Sequence, residues 1–133
     1  MNTKIKMVFI ILVVIISVLI TYIVILNNTN SVLDDFYNCI VDNSDSKALK
    51  DTALYKYYNR NELFDNKICS AKINIQRTFV IHNFCQGVMF VNYDCETFDD
   101  KGKHIYGSTN VRSKWYIKKE HGKWIVYDID EKP

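Results

Sequence analysis

Three histidines and four cysteines are the side chains best suited to chemistry near neutral pH: His82, His104 and His121, and Cys39, Cys69, Cys85 and Cys95. A histidine acts as a general base when a second group orients it, and a thiol acts as a nucleophile when a base activates it. His82 and Cys85 stand three residues apart, which sets a base near a thiol. Both fall where a strand ends and a turn begins, and no carboxylate follows at a spacing that would orient the pair. His104 comes just after the turn Asp99-Asp100-Lys101-Gly102, and His121 belongs to a turn with Gly122. No catalytic residue is expected among them. The cysteine spacings of 30, 16 and 10 contain no C-x-x-C, so neither a zinc site nor a dithiol redox motif is expected, and no cofactor.

An even number of cysteines outside the cytoplasm allows up to two disulfides, with four small buried thiols as the alternative. Pairing two strands about a turn near Asn83–Gly87 sets Cys69 near the level of Asp99 and Cys95 near Ile73. That offset of about four residues is roughly 13 Å along a strand, too far for a bridge whose Cα atoms must lie within about 7 Å. Cys39, on the first helix of the domain, is the better partner for any strand cysteine, and the pairing stays open. Arg112, Lys114, Lys118, Lys119 and Lys123, interleaved with Trp115, Tyr116 and Trp124, have the composition of a single-strand nucleic-acid groove. The solvated face of a hairpin has the same composition, and no nucleic-acid partner is expected.

These residues must be held by something, and the chain divides sharply. Met7 to Leu26 is an apolar run with no charge, Gly or Pro. Its twenty residues reach about 30 Å as a helix, the thickness of the hydrocarbon layer. A cleaved signal would want a shorter apolar stretch and a small-residue cleavage site; here Asn27-Asn28-Thr29-Asn30 follows, with no Cys for lipid attachment. Lys4 and Lys6 precede the run, and the next basic residue is Lys47. By the positive-inside rule residues 1–6 form a cytoplasmic tail, 7–26 an anchor, 27–30 a short linker and 31–133 an extracytoplasmic domain. The expected location is the cell membrane, single-pass. All 15 acidic residues follow the span, as do all 17 basic ones except Lys4 and Lys6, so the domain is neutral and its charge argues for no polyanion.

In the domain, Ser31 caps a helix carrying Asp34-Asp35 in its first turn, with Val32, Leu33, Phe36, Ile40 and Val41 at helical spacing. Asp42–Asp45 interrupts it. A second helix is expected from about Ser46 to Tyr58, and a third short helix or a loop over Asn59–Lys67. Then the period changes to that of strands. Ile73, Ile75, Phe79 and Ile81 share one face of the first strand, with His82 on the other. Val88–Phe98 is the second strand. His104–Lys119 is the third, with Ile105, Gly107, Thr109, Val111, Ser113, Trp115 and Ile117 on one face. Lys123–Asp130 is the last. Helices gathered before a meander mean an α+β fold.

The closing segment Trp115-Tyr116-Ile117-Lys118-Lys119-Glu120-His121-Gly122-Lys123-Trp124-Ile125-Val126 resembles the final hairpin of many bacterial members of the nuclear transport factor two-like superfamily. The entry SVLDDFYNCIVDNSDSKALK is similar to that family's helix, acidic turn and second helix. The resemblance covers about residues 31–131. It implies a small cone-like domain, two or three helices packed on a curved four-stranded antiparallel sheet. Trp115, Gly122 and Trp124 are read as the structural hairpin, the two rings meeting across the turn or diagonally and buried rather than forming a binding edge. Some members are isomerases or dehydratases with a His or Asp inside the cone; others, among conjugation-machinery subunits, join one span to such a domain. The expected function is a membrane-anchored interaction or assembly module without catalysis, pairing with itself or another envelope protein. A small-ligand or isomerase-like pocket of the same fold is the alternative. A filled interior favours the first, and an open one holding a His or Asp favours the second.

Overall fold

A computed structural model describes residues 2–41, 47–59 and 67–132. The apolar run folds as α1, Thr3–Asn28, with the Asn2 side chain accepting from the Lys4 N–H at its start. No residue of α1 is buried, and the helix is long and apolar enough to cross a membrane. Its internal hydroxyls are satisfied within the helix: Ser17 donates to the Val13 carbonyl and Thr21 to that of Ser17. That leaves little polar character on its surface.

The linker expected at 27–30 is nearly all helix. Only Thr29 separates α1 from α2, Asn30–Val41. The physical reason is a set of side chains that satisfy the last turn of α1. Thr29 Oγ1 donates to the Leu26 carbonyl at 3.1 Å. The Arg77 guanidinium donates to the same carbonyl at 2.6 Å and to Thr29 Oγ1 at 3.0 Å. A cation there also matches the negative end of the helix dipole. Because α2 begins at Asn30, Ser31 is not its cap, and Asp34-Asp35 lies beyond the first turn. Asp35 is buried and meets Lys123 at 3.3 Å.

The second expected helix is two pieces, α3 (Lys47–Lys50) and α4 (Ala53–Tyr58). Thr52 breaks it by capping α4: its hydroxyl accepts from the Tyr55 N–H and donates to the Leu49 carbonyl at 2.7 Å. The expected third helix or loop lies largely outside the described residues.

Four strands come next, β1 (Ser70–His82), β2 (Gln86–Phe98), β3 (His104–Glu120) and β4 (Lys123–Glu131), in one antiparallel sheet of order β1-β2-β3-β4. The architecture is α+β, with the helices on one face of the sheet. The β3–β4 turn is a two-residue hairpin with His121 and Gly122 both at positive φ, 50° and 77°, the backbone that matches strand twist. At Gly87 a Cβ would collide with the Ile81 carbonyl and with His82, so only Gly lets β1 and β2 close there.

Besides a shift between Glu96 and Phe98 near the β2–β3 turn, three irregularities in the register decide which side chains face the helices. At Thr78 the β1–β2 pairing shifts. Beyond it Val80 is buried and His82 turns inward, while Phe79 and Ile81 are exposed. The single face expected for Ile73, Ile75, Phe79 and Ile81 is therefore broken. At Asn110, with φ 53°, the β2–β3 pairing shifts. Ser113, Trp115 and Ile117 face inward as expected, but Gly107 pairs with outward-facing Glu96 and leaves their face. The third shift leaves Tyr127 unpaired between Val126 and Asp128, outward beside Tyr116.

Both tryptophans are core residues: Trp115 is 0% and Trp124 3% exposed. They do not meet across the turn, because Trp124 pairs with Lys119 and Trp115 with Ile129. Cys95 lies opposite Ile73, and the Cys69 N–H reaches the Phe98 carbonyl, the levels expected of them. No disulfide joins the cysteines: Cys39 and Cys95 are buried thiols, Cys69 and Cys85 exposed ones.

Candidate functional site

A cluster of polar side chains in the core joins four elements. Tyr58 at the end of α4 donates its hydroxyl proton to Glu131 of β4 at 2.6 Å. Tyr93 of β2 donates to the same carboxylate at 3.1 Å. Trp115 Nε1 donates to the Tyr58 oxygen at 3.1 Å, and Ser113 Oγ lies 3.3 Å from it. With the Tyr58 proton committed to Glu131, Ser113 must be the donor in that contact. The Tyr58 hydroxyl is thus saturated: one proton given, two lone pairs occupied.

Burial, then the bond to Glu131, pushes the Tyr58 hydroxyl well above its ordinary pKa. Tyr93 is pushed up by burial and by the neighbouring Tyr58 and Glu131. Both stay protonated at neutral pH and are poor bases. Phe36 packs edge-on against Tyr58 at 4.8 Å and Tyr93 at 5.1 Å, and tilted against Trp115 at 5.2 Å, filling the space beside them. The cluster latches the end of β4 to α4, with Phe36 packed against it.

The histidines do not converge. His104 and His121 are exposed. His82 packs tilted against Trp124 with centroids 4.6 Å apart and edge-on against Phe84 at 5.1 Å. Its Nδ1 accepts from the Phe84 N–H at 2.9 Å, so that nitrogen is not free to activate the Cys85 thiol. Its Nε2 is buried without a hydrogen bond of good geometry, as is Trp124 Nε1. Burial lowers the His82 pKa, partly offset by the nearby Ile25 carbonyl. Among the described residues, no group of three or more His, Cys, Asp or Glu could hold a metal ion.

The outer face of the sheet is open. An open cleft of about 970 Å³ lies along β2, β3 and the end of β4, lined in part by Phe90, Asn92, Asn110, Arg112, Lys114 and Asp130. The Lys114 ammonium sits over the Tyr116 ring at 4.8 Å and over Phe90 at 5.7 Å, and Lys118 over Tyr127 at 5.7 Å. Lys114 and Lys118 are therefore matched with Phe90, Tyr116 and Tyr127 rather than with the two tryptophans, which point to the other face. Alternation along β3 already separates Tyr116 from Trp115; Tyr127 is brought beside it by the bulge. The roles of Tyr58, Tyr93 and Glu131 carry no local signal, since 73 residues separate Tyr58 from Glu131.

No protein-family model, curated protein or solved structure matches the chain.

Proposed function

We propose that the chain is a single-pass membrane protein whose residues 31–133 form an extracytoplasmic interaction module of the nuclear transport factor two-like type. It does no catalysis and docks a second copy or another envelope protein. The contrast between the two faces of the sheet carries this reading. The inner face is filled by Phe36, Tyr58, Tyr93 and Trp115 with their polar atoms committed. The outer face keeps a cleft with an arginine and an exposed aromatic, Arg112 and Phe90, residue types from which interface anchors are often built. Lys4 and Lys6, ahead of the apolar run, favour the outside for the domain.

The cleft's volume falls within the range of small-ligand sites, about 300–1,000 Å³, and is the one observation for the ligand-pocket reading. Asp130 and Glu131 line one end, but Glu131 is committed to the Tyr58 and Tyr93 hydroxyls, and the walls are strand side chains open to solvent, which suit a protein segment better.

A photoreactive residue placed at Asn92 or Arg112 of the full chain in intact membranes tests this. A discrete adduct with a second copy or one membrane protein is expected, and none from the same probe at exposed Lys56. Absence of adducts from both cleft positions would overturn the interaction reading. Protection of residues 27–133 from protease added to wall-stripped cells would overturn the orientation.

A further inference from the structure

The end of the sheet nearest α1 carries apolar side chains that the core does not use. Phe79, Ile81 and Phe84 are 45%, 58% and 49% exposed. Phe79 and Ile81 lie on the outer face of the edge strand β1, and Phe84 tips the β1–β2 turn. The contacts of β1 with α1 fix where that tip lies. Arg77 reaches Leu26 and Thr29, while His82, farther along the strand, faces the Ile25 carbonyl. Both contacts fall at the last turn of α1, so the residues after His82 stand near the level where the apolar run ends. Leu26 is the last residue of that run.

Phe84 carries a second signal. Its φ is 69°, left-handed backbone that a bulky side chain adopts at a cost and that Gly or Asn adopts readily. Folding alone would favour either of those at a solvent-exposed turn tip. The same end bears the β3–β4 turn, where Lys118 pairs with Glu120, Lys123 with Asp35, and exposed Lys119 stands between them in sequence.

We infer that the β1–β2 tip is a second membrane contact, with Phe84 and Ile81 entering the headgroup–acyl boundary of the bilayer that α1 crosses and Lys119 meeting anionic headgroups. The inference rests on α1 being a span. An aromatic and an aliphatic side chain beside a lysine suit that boundary, where apolar area and electrostatic attraction add. The contact fixes the tilt of the domain on its anchor.

The chain supplies its own reporters. Cys85 is exposed at the tip and Cys69 is exposed at the opposite end of the sheet, while Cys39 and Cys95 are buried. Full-length Cys69→Ser, labelled at Cys85 with an environment-sensitive fluorophore, is reconstituted into phosphatidylcholine vesicles with or without phosphatidylglycerol. Lipids carrying nitroxides near the headgroup should quench the Cys85 label strongly, more so with the anionic lipid. The Cys69 label, in Cys85→Ser, should stay unquenched. A third label in Val14→Cys, made in Cys69→Ser/Cys85→Ser, should be quenched by nitroxides deep in the acyl chains. Phe84→Asn should keep or raise the melting midpoint yet drop Cys85 quenching toward the level at Cys69. If the Val14 label is quenched and the Cys85 label is not, the tip contact is refuted and the span stands. If neither is quenched, the span fails and the tip contact with it. Proximity of two Cys85 labels on separate copies without lipid quenching would assign the patch to self-association and also overturn the inference.

Discussion

Replacing Trp124 with Ala removes a ring that is 3% exposed and packed against His82. Truncating a buried tryptophan typically costs about 3–5 kcal/mol, out of a total stability of about 5–15 kcal/mol for a domain. At roughly 4–8 °C per kcal/mol for a domain near 100 residues, the melting midpoint should fall by about 12 °C or more. Trp124→Phe separates ring from donor. The Trp124 Nε1 is buried and has no partner, so its removal breaks no bond and relieves a desolvation cost of about 1–3 kcal/mol. The smaller ring gives up some apolar contact, on the order of 1 kcal/mol. The two effects offset, and Trp124→Phe should melt within about 1 kcal/mol of the parent. Near-UV circular dichroism of the full chain in detergent micelles, followed through thermal unfolding, reads both variants. A phenylalanine variant as unstable as the alanine one would mean the indole N–H does make a bond. An alanine variant that melts like the parent would refute the core assignment of the closing hairpin.

Trp115→Phe should cost more than Trp124→Phe, about 1–3 kcal/mol, because Trp115 Nε1 does donate to Tyr58 and the loss leaves a buried acceptor underserved; the same melts check the order. The folded pKa of Tyr58 and Tyr93 is raised, so their contribution is complete below the unfolded value near 10 and is lost as pH rises beyond it. The unfolding free energy from urea titrations should fall above about pH 10, by up to about 1.4 kcal/mol per pH unit for each tyrosine, and a Tyr58→Phe/Tyr93→Phe variant should lose that slope. Native-state alkylation read by mass spectrometry should modify Cys69 and Cys85 quickly, and Cys39 and Cys95 only on unfolding. Cys95 is buried with its thiol pushed up to about 11, and equal rates at Cys85 and Cys95 would contradict that.

The strands are legible in the sequence because alternation with β-branched and aromatic residues is a local signal, and turn chemistry marks their ends: Asp99 Oδ1 accepts from the Lys101 and Lys103 N–H groups, and Gly102 sits at φ 76°. A single inserted residue is something alternation does not reveal. The bulges at Thr78 and Tyr127 each reverse the facing of the residues after them, because the side-chain period is two, and nothing in the composition of either residue announces it. Unbroken alternation puts His82 on the wrong face for that reason. Asn27-Asn28-Thr29-Asn30 reads as a loop by local preference, but Arg77, 51 residues beyond Leu26, supplies the partner that lets helix continue almost to Thr29. The hydroxyl–carboxylate latch is invisible in the sequence for the same kind of reason, since its members meet only through the fold.

The junction at Thr29 makes the anchor a shaft rather than a tether. With one non-helical residue between α1 and α2 and a guanidinium bridging the break, the domain has little freedom to swivel independently. Turning the span about its own axis turns the sheet by a comparable angle. In the proposed arrangement, two copies that pack through α1 would present their clefts at a set azimuth, and a change in that packing would reorient the outer face.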